Sequence, residues 1–181
     1  MSEHKNKAST ISALLEDKPR RGRPSHPVSR QNVYVALSKE QKAELKRLAG
    51  LLPDGVVRAD VPDLAITILA ARLDALRRAL ADRNREIPEG VNDLLSLYLL
   101  WDLSLPPKQI DGKWTSIRVS PQQAIELGRV HGTLNAAFGV NRSDIFGLGL
   151  ALLAAYLEDA KLQTTSLTLA ELRHEIINNY L

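Results

Sequence analysis

The sequence predicts a mainly α-helical protein in which two strand–helix–helix units share a two-stranded antiparallel ribbon, with extra helices around them. Three observations lead there. Hydrophobic residues make up 44% of the 181 and aromatic residues only 4%. Leu, Ile, Val and Ala must then fill the core, which favours helices over a sandwich or barrel. A short alternating strand followed by a Ser-led helix start occurs twice, 82 positions apart. Neither strand has a partner within its own unit, and an isolated strand needs both a partner and helical cover.

Residues 1–31 are polar, basic and Pro-containing, and read as a mobile arm. The first unit spans 32–83. In Asn32-Val33-Tyr34-Val35-Ala36-Leu37, Val33, Val35 and Leu37 alternate with the other three residues, as in a half-buried strand. Ser38-Lys39-Glu40-Gln41 then forms a capping box that opens a helix with Leu45, Leu48, Ala49 and Leu52 on one face. Pro53-Asp54-Gly55 breaks it. Asp60 is expected to cap a second helix, with Pro62 in its first turn and Asp63 at the third position. Residues 84–112 connect the units. They include an expected helix at 91–103, apolar nearly all round and therefore expected to be buried, and they end in a Pro106-Pro107 loop.

The second unit spans 113–160. Thr115 to Val119 alternates as before, and Ser120-Pro121-Gln122-Gln123 reads as a second capping box with Pro at the first helical position. Leu127, Val130, His131 and Leu134 follow on one face. Phe138-Gly139-Val140 turns the chain, and Asn141 caps a helix carrying Ile145, Leu148, Leu152 and Tyr156. Gly147 and Gly149 within it point to close helix packing. In the last segment, 161–181, Thr168-Leu169-Ala170-Glu171 opens a helix ending near Asn178. At the 82-residue offset Val35 meets Ile117, Leu37 meets Val119, Leu45 meets Leu127, Leu48 meets Val130 and Leu52 meets Leu134. The repeat is one of structure, since few of these residues are identical.

The net charge of +3 is unevenly spread. Residues 1–31 hold seven basic and three acidic side chains, a net +4, and the remaining 150 residues come to −1. A basic arm on a near-neutral body suits a polyanion, although charge alone leaves a solubilising tail open. The absence of cysteine excludes disulfides and thiolate zinc sites. No apolar h-region opens the chain, and no apolar run reaches the ~18 residues of a membrane span. A cytoplasmic protein is expected, with no membrane partner. The four histidines, His4, His26, His131 and His174, lack ligand-spaced partners. There is no Gly-rich phosphate loop, nucleophile elbow or convincing acid pair. No metal, cofactor or catalytic residue is expected.

The simplest ribbon pairs 32–37 antiparallel with 115–119. Val33, Val35, Leu37, Ile117 and Val119 then face the helices. With Val33-Tyr34-Val35-Ala36-Leu37-Ser38, the Asp60 helix, Ile117-Arg118-Val119-Ser120 and Gly139-Val140-Asn141-Arg142-Ser143, the arrangement resembles the ribbon-helix-helix DNA-binding family, as a single-chain version of its usual dimer. The resemblance implies a double-stranded DNA partner and a nucleoid-associated location. It also implies a ribbon in the major groove that reads base edges with Asn32, Tyr34, Ala36, Trp114, Ser116 and Arg118. It further implies that Asn141, Arg142 and Ser143 hold DNA phosphate at a helix N-terminus. In the first unit the acidic Asp60-Val61-Pro62-Asp63 departs from that pattern, and only Arg58 offers a phosphate contact. Trp114 and Tyr34 could instead pack at the domain edge.

In the arm, Pro19-Arg20-Arg21-Gly22-Arg23-Pro24 resembles the AT-hook. Arg20, Arg21, Gly22, Arg23 and Pro24 would then enter the minor groove of A·T-rich DNA. Transcriptional regulation and an accessory role in plasmid or DNA transfer both fit. The alternative is an antitoxin-like or scaffold module that binds a protein, or a second copy of itself, through helices 91–103 and 168–178.

Overall fold

The computed structural model describes residues 29–82, 90–106, 112–160 and 166–180. The fold is mainly helical with one small antiparallel sheet. In chain order the elements are strand β1 (Gln31–Leu37), helix α1 (Lys39–Ala49), a 3-10 turn (Arg58–Asp60), α2 (Val61–Asp82), α3 (Leu94–Leu100), β2 (Lys113–Val119), α4 (Pro121–Phe138), α5 (Arg142–Ala160) and α6 (Leu169–Asn178).

β1 and β2 pair antiparallel, so the chain supplies both strands of the ribbon. The register places Tyr34 opposite Ser116, the residue 82 positions on, with Asn32 opposite Arg118 and Ala36 opposite Trp114. The Tyr34–Ser116 pair thus joins positions 82 apart, the spacing at which the strand pattern recurs in the sequence. Both strands run longer than expected, starting at Gln31 and Lys113. Val35, Leu37, Ile117 and Val119 are buried on one face, and Val33 packs half-buried beside them.

Helices α2 and α5 form the centre of the core. Residues 61–70 of α2 are all buried, and α5 buries Ile145, Phe146, Leu148, Leu150, Leu152 and Leu153. Gly149 allows this approach. A methyl group at Gly149 would lie 2.7 Å from the Ala65 carbonyl oxygen of α2, while one at Gly147 would lie 2.7 Å from Gln41 Nε2 and so concerns the packing of α5 on α1. α6 closes the core with Leu172 and Ile176, and its Thr168–Glu171 capping box forms as expected.

Several elements depart from expectation. The Ser38–Gln41 capping box forms, with Gln41 N–H donating to Ser38 Oγ at 3.1 Å and Ser38 N–H to Gln41 Oε1 at 3.0 Å. Its counterpart at Ser120 does not, since the Ser120 side chain makes no cap bond. Ser120 N–H donates instead to Asp63 Oδ1 at 2.9 Å, which leaves Gln123 without its capping role. A 3-10 turn precedes α2, and the Asp60 carboxylate turns back to accept from Val57 N–H at 2.9 Å.

The 91–103 helix is shorter than expected, and it is not buried all round. It begins after Asp93, whose side chain caps Ser96 N–H at 2.8 Å. It ends in a Schellman-type closure, in which Leu103 N–H reaches the Tyr98 carbonyl at 2.8 Å and Asp102 N–H reaches the Leu99 carbonyl at 3.1 Å. Asp102 supplies the left-handed residue at φ 54°, a place usually taken by glycine. Leu97, Tyr98 and Trp101 are buried, whereas Leu95, Leu99 and Leu100 are exposed.

Arg30 belongs to the folded body, not to a free arm. Its side chain is buried and pairs with the Asp60 carboxylate, and Asp63 lies 3.8 Å away. Asp63, 1% exposed, also takes Arg173 of α6 at 2.9 Å. One buried carboxylate thus joins the chain before β1, the start of α2, the start of α4 and α6.

Candidate functional site

Strand pleating puts alternate residues on the face of the ribbon turned away from the helices. Asn32, Tyr34, Trp114, Ser116 and Arg118 are exposed there, and Ala36 is half-buried. All six expected ribbon residues therefore share one outer face. Tyr34 is 65% and Trp114 75% exposed, so neither packs at a domain edge. The face has two unlike ends. One carries the Asn32–Arg118 pair, with amide and guanidinium donors. The other carries Ala36–Trp114, which is apolar and aromatic.

At the aromatic end a groove of about 550 Å³ runs between the ribbon and the start of α5. Tyr34, Ala36, Trp114, Asn141, Arg142 and Ser143 line it. The fold thus gathers half of the expected ribbon residues and the three expected phosphate contacts of the second unit into one opening. Gly112 keeps the ends close, because a methyl group there would meet Ala36 Cβ at 3.0 Å.

The start of α5 is less open to an anion than expected. Asn141 Oδ1 accepts from Ser143 N–H at 2.8 Å and from Asp144 N–H at 3.0 Å. Ser143 Oγ accepts from Ala36 N–H at 2.8 Å, which ties the ribbon to the helix. The Asn141 amide donates to Asp144 Oδ2 at 2.6 Å. Arg142 keeps an exposed guanidinium, and it makes no ion pair among the described residues. Asp144 also lines the groove. Burial raises its carboxyl above the ordinary aspartate range, and the hydrogen bond from the Asn141 cap region only partly offsets this.

The helix start at Val61 is turned inward instead. Asp60 and Asp63 are buried and committed to internal partners, and of the charged residues there Arg58 is exposed. Arg20, Arg21, Gly22, Arg23 and Pro24 lie outside the described residues.

Residue patterns alone missed His131, Gln41 and Gly112 as groove-lining positions. His131 sits on the expected helix face, but only the packing of α4 against the ribbon brings it here. Among the described residues, no group of three or more His, Cys, Asp or Glu side chains could hold a metal ion, and no helix is long and apolar enough to cross a membrane.

No protein family, curated protein or solved structure matches this chain.

Proposed function

We propose that the chain is a sequence-specific double-stranded DNA-binding protein, a single-chain pseudo-dimer of the ribbon-helix-helix type. The observation that carries this reading is the outward row Asn32, Tyr34, Ala36, Trp114, Ser116 and Arg118 on a two-stranded ribbon. A two-stranded ribbon fits the major groove, where base edges are distinguishable. Arg118 suits guanine O6 and N7, Asn32 suits adenine, and Ala36 offers only apolar contact, as with a thymine methyl. Trp114 and Tyr34 add apolar and aromatic surface to the other end.

Phosphate contacts on this reading come from the exposed Arg142 at the α5 start and from the exposed Arg58 before α2. The basic arm with Arg21-Gly22-Arg23 would take the minor groove of A·T-rich flanks. The unlike ribbon ends predict a bound site without palindromic symmetry. Regulation of transcription and an accessory role in DNA transfer both use such binding.

Selection of bound duplexes from a random library tests the reading. The expected result is one asymmetric motif with an A·T-rich flank, in which Arg118→Ala relaxes preference at a single position. Recovery of no enriched motif would overturn sequence-specific binding. A second reading, a protein-binding module, is favoured by one observation: Leu95, Leu99 and Leu100 of α3 are exposed. Replacing all three by Ser should leave DNA binding intact if the two surfaces act separately.

A further inference from the structure

Of the eight aromatic side chains in the sequence, six are buried or half-buried. The other two, Tyr34 and Trp114, are 65% and 75% exposed and share the ribbon's outer face. Tyr34 pairs with Ser116, two positions along β2 from Trp114, so the two rings are diagonal neighbours. Such neighbours lie roughly 7–8 Å apart on a sheet face. That spacing leaves room for one flat ring between them, at ~3.5 Å from each. The groove of about 550 Å³ at this end is lined by both rings and by Arg142. The Arg142 guanidinium is exposed and makes no ion pair among the described residues. Asp144, the carboxylate that also lines the groove, accepts from the Asn141 amide at 2.6 Å.

The chemistry of this end suits the face of a base better than its edge. A paired base hides both faces in the stack and shows the major groove only an edge, read by donors and acceptors. An indole brings one donor and a phenol one hydroxyl, and neither forms the bidentate pairs that arginine and asparagine make. An unpaired base shows its π-face. Aromatic side chains next to a cation bind such faces in single strands, the rings stacking on bases and the cation meeting phosphate.

We propose that the Tyr34–Trp114 end of the ribbon binds a single-stranded nucleic acid, stacking one unpaired base on the two rings while Arg142 holds a neighbouring phosphate. The site shares its face with the duplex reading but does not rest on it, because stacking needs a free base and no groove.

The test titrates the full chain, at one salt concentration, against short end-labelled strands of thymidine, of uridine and of abasic deoxyribose phosphate. Polarisation reads binding. Quenching of tryptophan emission reads stacking, since Trp114 is exposed and Trp101, the other tryptophan, is buried. The abasic strand keeps the phosphates, so attraction of the basic arm to the backbone acts on all three alike. At least one base-bearing strand should bind about tenfold or more tighter than the abasic strand and quench the emission to saturation. Tyr34→Ala with Trp114→Ala should abolish that preference, and Trp114→Phe, which keeps a ring, should retain most of it. Equal binding of base-bearing and abasic strands by the wild type would overturn the inference. So would a preference that survives the double substitution. A parallel titration with duplex DNA separates the two readings: duplex binding without any base preference on single strands sinks this inference alone, and the reverse result sinks the duplex reading alone.

Discussion

Asp63 and Asp144 occupy matching third positions near the starts of α2 and α5, yet their surroundings give them opposite roles. Asp63 is almost fully enclosed and holds Ser120 N–H and Arg173. Removing a buried partner leaves uncompensated charge, so Asp63→Ala should cost about 3–5 kcal/mol in urea unfolding. Adding Arg173→Met should recover part of that loss, and a double-mutant cycle checks the coupling. Asp144 faces the groove with a raised carboxyl pKa. The folded state therefore holds this proton more tightly than the unfolded chain does. Its contribution favours folding below the ordinary aspartate range and is lost as pH rises through the raised folded value. Asp144→Asn should flatten that part of the stability profile, read by urea midpoints from pH 4 upward. If phosphate docks at Arg142, the same change should also tighten DNA binding several-fold, because it removes a negative charge from the site.

Asp63 shows why some of the site was not legible in the sequence. A carboxylate at a helix start reads as a local cap, and its true partners are 57 and 110 residues away. Arg30 was similarly disguised by the basic segment before it. The ribbon's outer row, in contrast, was fully legible, because pleating fixes facing by parity once the strands are known.

Among elements, the two unit-opening helices begin with the same Ser-x-x-Gln pattern but are built differently. Ser38 caps α1 in a complete box, whereas the Ser120 side chain does not cap α4. Ser38→Ala should therefore cost about 1 kcal/mol and Ser120→Ala distinctly less, measured by chemical denaturation of each. Equal losses would mean that the Ser120 hydroxyl, which accepts from Arg173 Nη2 at 3.4 Å, stabilises the fold as much as a full cap does. The α2–α5 crossing depends on Gly149, which has the Ala65 carbonyl where a side chain would start. Gly149→Ala should cost about 1–3 kcal/mol by overpacking, read by thermal melting. Both glycines were readable as packing residues from the helix pattern. The early end of α3 was not, because Asp102 occupies the left-handed position where a helix stop is normally signalled by glycine.

At the scale of the whole molecule, the helix starts that follow β1 and β2 are built differently around one antiparallel ribbon. The Tyr34–Ser116 pair joins positions 82 apart. The second unit offers a groove with Arg142, while the first has turned its corresponding carboxylates inward to lock α4 and α6. On the proposed reading, binding strength comes mainly from the second unit and the basic arm, and the first unit completes the ribbon. That division predicts that Arg142→Ala weakens binding to all sequences alike, whereas Arg118→Ala changes which sequence is preferred. The most direct test of the central claim is a fluorescence-polarisation titration of the full chain on duplex DNA across a salt series. The account predicts binding at low salt that weakens about tenfold or more between roughly 50 and 200 mM, as cations displaced from phosphate return. Absence of binding at low salt, or an affinity indifferent to salt, would contradict it.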